Sequence, residues 1–94
     1  MYGLIAKLVA LPGKREEFIS IVSAATRDMP GCFSYVMAKD AAEENTIWVT
    51  EVWDSEQSHD ASLKLAHVLD AIKRGRPLIA NFEKVAVTTP VAGA

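Results

Sequence analysis

The sequence predicts an α+β domain whose elements run in the order βαββαβ. Four stretches, near residues 2–11, 32–39, 46–53 and 79–88, carry the β-branched, aromatic and alternating apolar residues of strands. Two stretches with apolar residues at helical spacing lie between the first and second strands and between the third and fourth. Turn-forming residues mark most of the junctions.

Residues 2–11 alternate around Lys7, and Pro12-Gly13 closes this first strand. From Lys14 to Met29 the apolar positions Phe18, Ile21, Val22, Ala25 and Met29 follow the i, i+3, i+4, i+7, i+11 spacing of one helix face, with Lys14, Arg15, Glu16, Glu17, Ser20 and Arg27 on the wet side. Pro30-Gly31 stops that helix, because a proline disfavours helical geometry at the residue before it. The second strand, Cys32 to Lys39, sets Phe33, Tyr35 and Met37 on one face and Cys32, Ser34, Val36 and Ala38 on the other. A polar loop, Asp40 to Asn45, leads into the third strand. There Ile47, Val49, Glu51 and Trp53 share one face, and Trp48, Thr50 and Val52 the other. Neither face is wholly polar, so both are expected to be covered.

Asp54 and Ser55 then offer helix caps, with Gln57 three residues beyond Asp54 as in a capping box. In the second helix Ala61, Leu65, Val68, Leu69 and Ile72 form one stripe, and Leu63 lies almost opposite it, beside His59 and His67. Leu63 is therefore exposed, or the helix bends near Ser62-Leu63, or a second surface covers that side. Lys73 and Arg74 suit a helix carboxyl end and Gly75 its cap. A last strand runs from Ile79 to Thr88. Residues 1–90 read as one domain and residues 91–94 as a flexible tail. This order places both helices on one face of a four-stranded antiparallel sheet, the ferredoxin-like arrangement. The other face needs a lid, which a second copy can supply, so a homodimer is expected.

Composition narrows the function classes. Of 94 residues, 50% are hydrophobic and only 23% charged, which favours burial of apolar surface against a partner copy. A net charge of −2 gives no electrostatic footprint for nucleic acid or an anionic membrane. No apolar run approaches the roughly 18 residues of a membrane span. The amino-terminal MYGLIAKLVALPGK lacks the early basic segment of a signal peptide, and Lys7 interrupts it, so a cytoplasmic placement is expected. Cys32 is the single cysteine, which rules out an internal disulfide framework. No H-E-x-x-H, glycine-rich phosphate loop or nucleophile elbow is present. His59 and His67 lie two helical turns apart, roughly 12 Å, too far for easy joint chelation. No metal is expected.

Pro30-Gly31-Cys32-Phe33-Ser34-Tyr35 resembles the P-G-C-x-x-Y opening of the second strand in the antibiotic biosynthesis monooxygenase (ABM) domain family. Thr50-Glu51-Val52-Trp53-Asp54-Ser55-Glu56 resembles that family's E-x-W strand-to-helix signature with its acidic cap, and Ala61 and His67 stand where its second helix commonly has alanine and histidine. Ser62 and Ala66 depart from the pattern, at positions where many relatives have histidine and proline. No asparagine occurs in residues 2–11, where haem-degrading relatives use one. The resemblance implies a dimeric α+β barrel with a pocket between sheet and helices in each subunit. It also implies oxidation of a small aromatic, quinol or polyketide-type substrate by molecular oxygen as co-substrate, with no cofactor.

Within that implied pocket His67 is the candidate base, since an imidazole of near-neutral pKa can take a proton from a phenol or an enolisable carbon. His59 is expected to be exposed. Trp53 is either core or a pocket wall against a flat ligand. Glu51 shares its face and becomes a base if burial raises its pKa, or a salt-bridge partner. Tyr35 either donates to a quinone oxygen or pairs with backbone. Trp48, on the opposite face, is assigned to the dimer interface. The alternative function is a non-catalytic dimeric module that binds a small apolar ligand or supports a neighbouring enzyme.

Overall fold

In the computed structural model, which describes residues 1–93, the chain is built around β1 (Tyr2–Ala10). β3 (Thr46–Trp53) and β4 (Ile79–Thr88) flank β1, and β2 (Cys32–Lys39) pairs with the far edge of β3. The sheet order is β2-β3-β1-β4 and every pairing is antiparallel. One face carries α1 (Arg15–Ala25), α2 (Glu56–Ser62) and α3 (Ala66–Gly75), and a 3-10 turn, Arg76–Leu78, returns the chain to β4. This is the α+β, ferredoxin-like architecture expected from the residue pattern, with the second helix split in two. Of the expected tail, Ala94 lies outside the described residues. Among the described residues no helix is long and apolar enough to cross a membrane.

Period-two alternation decides the core. Leu4, Ala6, Leu8 and Ala10 are buried on the helix side of β1, and the β3 register sets Leu8 against Ile47, Ala6 against Val49, Leu4 against Glu51 and Tyr2 against Trp53. Two packed clusters result. At one end Phe18 of α1 joins Ala6, Leu8, Ala10, Ile47 and Val49. At the other, Val68 of α3 joins Tyr2, Leu4, Met29 and Trp53. Glu51 is thereby carried into an apolar wall by the same alternation that buries its neighbours.

The opposite sheet face has no helix over it. Lys7 there lies over the Trp48 ring, 5.8 Å from its centroid. The Trp48 indole donates to Asp40 Oδ1 at 2.8 Å, while Asp40 Oδ2 accepts from the Ala42 and Glu43 amides. These bonds favour the charged carboxylate and hold the Asp40 pKa down at about 2. The β2–β3 loop, which has no Asn-Gly or Asp-Gly turn, is held instead by this side chain and by Arg15, whose guanidinium donates to the Glu43 and Thr46 carbonyls.

Two local expectations are corrected and one open reading is decided. α1 ends at Ala25 rather than Met29. Thr26, Arg27 and Asp28 unwind ahead of Pro30, and Met29 is buried from the loop. In β2 the register slips between Cys32 and Ser34, a bulge that turns Phe33 outward (56% exposed) and leaves Cys32, Tyr35 and Met37 packed on the helix side. The second helix breaks after Ser62. The Ser62 hydroxyl donates to the His59 carbonyl at 2.6 Å, and the amides of Leu63, Lys64 and Leu65 close tight i→i+3 turns on Asp60, Ala61 and Ser62. Leu65 is extended (φ −67°, ψ 135°) before α3 begins. Of the readings open for Leu63, the structure combines a break with exposure.

Candidate active site

Between the helices and the sheet lies a cavity of about 560 Å³. Leu4, Ala6, Leu8 and Val49 make its floor; Phe18, Val22 and Ile72 contribute from the helices and Leu63 from the turn between α2 and α3. Five polar or charged side chains line it: Tyr35, Glu51, His59, Arg76 and Lys84. A smaller cavity of about 110 Å³ adjoins it, and Tyr35, Glu51 and His59 line both. The partition between the two spaces therefore sets these three titratable groups among the apolar Val22, Leu63, Ala71 and Ile72.

Each of these groups has an identifiable support. Glu51 Oε1 accepts from the Trp53 indole at 2.9 Å, a bond between residues two apart on the same strand face. Trp53 is itself 1% exposed and locked among Tyr2, Leu4 and Val68. His59 arrives on α2, which starts at Ser55, whose hydroxyl accepts from the Ser58 amide. Its ring meets the Trp53 ring edge-on (5.5 Å, 81°) and the Tyr2 ring at 5.4 Å. His59 Nε2 stands 3.9 Å from Glu51 Oε1, and Nδ1 lies 3.2 Å from Asp60 Oδ1. The side chains of His59 and Glu51 are only 13% and 9% exposed.

Burial dominates the electrostatics. It raises the Glu51 pKa above the ordinary glutamate value, against the opposing pull of the Trp53 hydrogen bond and the His59 charge. Burial, aided by the Glu51 charge, also pushes the Tyr35 phenol far up, so Tyr35 stays a protonated donor at any working pH. The arrangement can exchange a proton with a group seated in the cavity: an imidazole to take it, a carboxylate 3.9 Å from that ring, and a phenol to donate.

The structure thus brings Tyr35, Glu51 and Trp53 together, with Trp53 as a buried support that touches only the smaller cavity. It does not bring His67 to them. His67 is exposed on α3 and lines neither space, because the break after Ser62 reorients α3 so that Val68, Ala71 and Ile72 face inward. His59, expected on the surface, takes the place by the carboxylate. The signal for it was Leu63, an apolar residue sharing a helix face with His59, and both line the cavity. Arg76 and Lys84 were not singled out from the sequence at all. Among the described residues no three His, Cys, Asp or Glu side chains are arranged to hold a metal ion.

A family model described as Antibiotic biosynthesis monooxygenase matches residues 1–74. The chain belongs to this family. It is 52% identical to a provisionally assigned antibiotic biosynthesis monooxygenase of known structure from Chloroflexus aurantiacus, with 99% of this chain and 95% of that one covered and a TM-score of 0.95. The fold is also similar to that of PA3566 from Pseudomonas aeruginosa (21% identity, 97% and 94% coverage, TM-score 0.82). Among curated proteins the chain is similar to the uncharacterized protein sll1783 from Synechocystis, 27% identical over 79 residues. That match takes in 81% of this chain and 54% of the cyanobacterial protein, so the chain spans about half the length of the curated relative. The antibiotic biosynthesis monooxygenase match ends in α3, so it covers the positions of Tyr35, Glu51, Trp53, His59 and His67 and stops short of Arg76 and Lys84.

Proposed function

We propose that this chain is an oxygenase of small aromatic, quinol or polyketide-type substrates that works as a homodimer, uses molecular oxygen as co-substrate and needs no cofactor. The observation that carries the reading is a near-buried His59–Glu51 pair on the wall of an apolar cavity. His59 Nε2 accepts the proton of a phenol or an activated CH₂ group. Glu51, held by Trp53, stabilises the imidazolium so formed. Tyr35 donates to the oxygen on which negative charge collects. The electron-rich anion then reduces oxygen. For an anthrone-type CH₂ the balance is R₂CH₂ + O₂ → R₂C=O + H₂O, so one oxygen atom enters the product, the other leaves as water, and the substrate is the only reductant. Family membership supports this class of chemistry, and the cavity is of the size that small-molecule sites have.

Oxygen uptake by purified, metal-free protein with a panel of quinols and anthrone-type phenols tests the reading. Saturable uptake is expected, with kcat lower by roughly 10²–10⁴ in His59→Gln and unchanged in His67→Ala. Full activity in His59→Gln removes His59 as the base. Tight binding of the panel with no uptake replaces the oxygenase by a small-ligand-binding module of the same fold.

A further inference from the structure

Resting on the aromatic-substrate reading above, we infer that the cavity selects substrates with an anionic group, a carboxylate in the first instance, at the end remote from the reacting carbon. The cavity has two chemically different ends. Glu51, His59 and Tyr35 occupy one. At the other, Arg76 of the 3-10 turn and Lys84 of β4 line the same space. Elsewhere Lys14 pairs with Glu17, Lys39 with Glu16 and Arg74 with Asp70, and Arg15 donates to the carbonyls of Glu43 and Thr46, while Arg27, Lys64 and Lys73 line neither cavity. Among the described residues neither Arg76 nor Lys84 has an acidic partner within ion-pair distance. Two unengaged cations on the rim of a cavity whose middle is apolar complement an anion that enters with an apolar body.

The sheet register sets the spacing. Lys84 pairs with Ala6, Ala6 with Val49, and Glu51 stands one same-face step beyond Val49. Two interstrand steps of about 4.8 Å and one two-residue step of about 6.8 Å put the Lys84 and Glu51 backbones roughly 12 Å apart. A fused two-ring body with a hydroxyl at one end and a carboxylate at the other fits between groups so placed. Orientation follows from charge. The Glu51 carboxylate repels an anion at the inner end, and the two cations hold it at the outer end, so the hydroxyl is delivered to His59. An anion on a cation pair at the rim also keeps its partners partly solvated, which avoids the cost of burying it unpaired.

The test is fluorescence titration, under argon, with 6-hydroxy-2-naphthoate and with 6-hydroxy-2-naphthamide, which has the same rings and hydroxyl but no charge. The acid is expected to bind about fivefold more tightly than the amide at low salt. That preference falls to one in Arg76→Gln/Lys84→Gln and shrinks at 0.5 M NaCl; Arg74→Gln, a charge change at a residue paired to Asp70 outside the cavity, leaves it unchanged. Both substituted side chains are exposed, and unchanged far-UV circular dichroism establishes that the fold survives. Equal affinity for acid and amide in the unaltered protein overturns the anion preference and leaves the oxygenase reading standing. A preference that persists in the double variant overturns the assignment to Arg76 and Lys84. Failure of both compounds to bind overturns the aromatic site and this inference together.

Discussion

Glu51 is an acid placed in an apolar wall by strand alternation, and its ionisation works against the fold. Burial raises its pKa, so the folded chain holds that proton more tightly than the unfolded one. Its contribution to stability is fully present below the ordinary glutamate pKa and is lost as pH rises through the higher folded value. Glu51→Gln keeps an oxygen for the Trp53 indole and abolishes the charge. That variant is expected to melt a few degrees higher than the parent at pH 8 and at the same temperature near pH 3, by calorimetry, while its oxygen uptake falls. Residue by residue, the strand-borne part of the site was legible in the sequence. Alternation put Glu51 and Trp53 on one face, and Tyr35 kept the side foreseen for it because the bulge lies before it. The histidine was not legible. Choosing between His59 and His67 needed the helix to break, and a bend near Ser62-Leu63 was only one of three readings, since Ser62 to Leu65 are all compatible with continuous helix.

Elements in this chain are joined by corners with little slack. Gly31, at φ +83°, turns the chain into β2, its carbonyl accepts the Asp54 amide at 2.8 Å, and a Cβ built on it would stand 2.6 Å from Ser58 Oγ and 2.8 Å from Asp54 Oδ1. The start of β2 is thus pressed against the corner that launches α2. Gly31→Ala should cost about 2 kcal/mol in urea unfolding, from the left-handed backbone and the contact with α2 together. It should also weaken ligand binding, because Ser58 adjoins His59. Strand limits and the turns at Pro12-Gly13 and Pro30-Gly31 could be read from local chemistry alone. The early end of α1 and the bulge at Phe33 could not, because long-range packing decides them: Met29 and Cys32 gain more by reaching the Trp53 cluster than by continuing a regular element. The division of α2 from α3 was one of three readings left open by the place of Leu63.

For the molecule as a whole, the open question is the second face of the sheet. Val36, 50% exposed, stands there opposite Thr50, with Trp48 and Lys7 stacked nearby and no helix over them. The proposed homodimer uses this face. The chain is expected to sediment at twice its mass at micromolar concentration, and Val36→Glu to sediment as a monomer with unchanged far-UV circular dichroism. A monomeric parent chain would reject that assembly. The expectation of a partner came from a property legible in the sequence, since the apolar alternation of β3 leaves neither face fully polar.

The division of the second helix has a consequence for motion. α2 is seven residues long, below the length at which a helix holds itself together, and it is bounded by the Gly31 corner and the turns at Leu63–Leu65. The segment beneath the imidazole should open independently of the sheet, so its amide protons should exchange with deuterium far sooner than those of β1, as mass spectrometry of peptic fragments would show. A bulky ligand would then find its way in through the breathing of two helical turns, and the general base would be the part of the wall that swings.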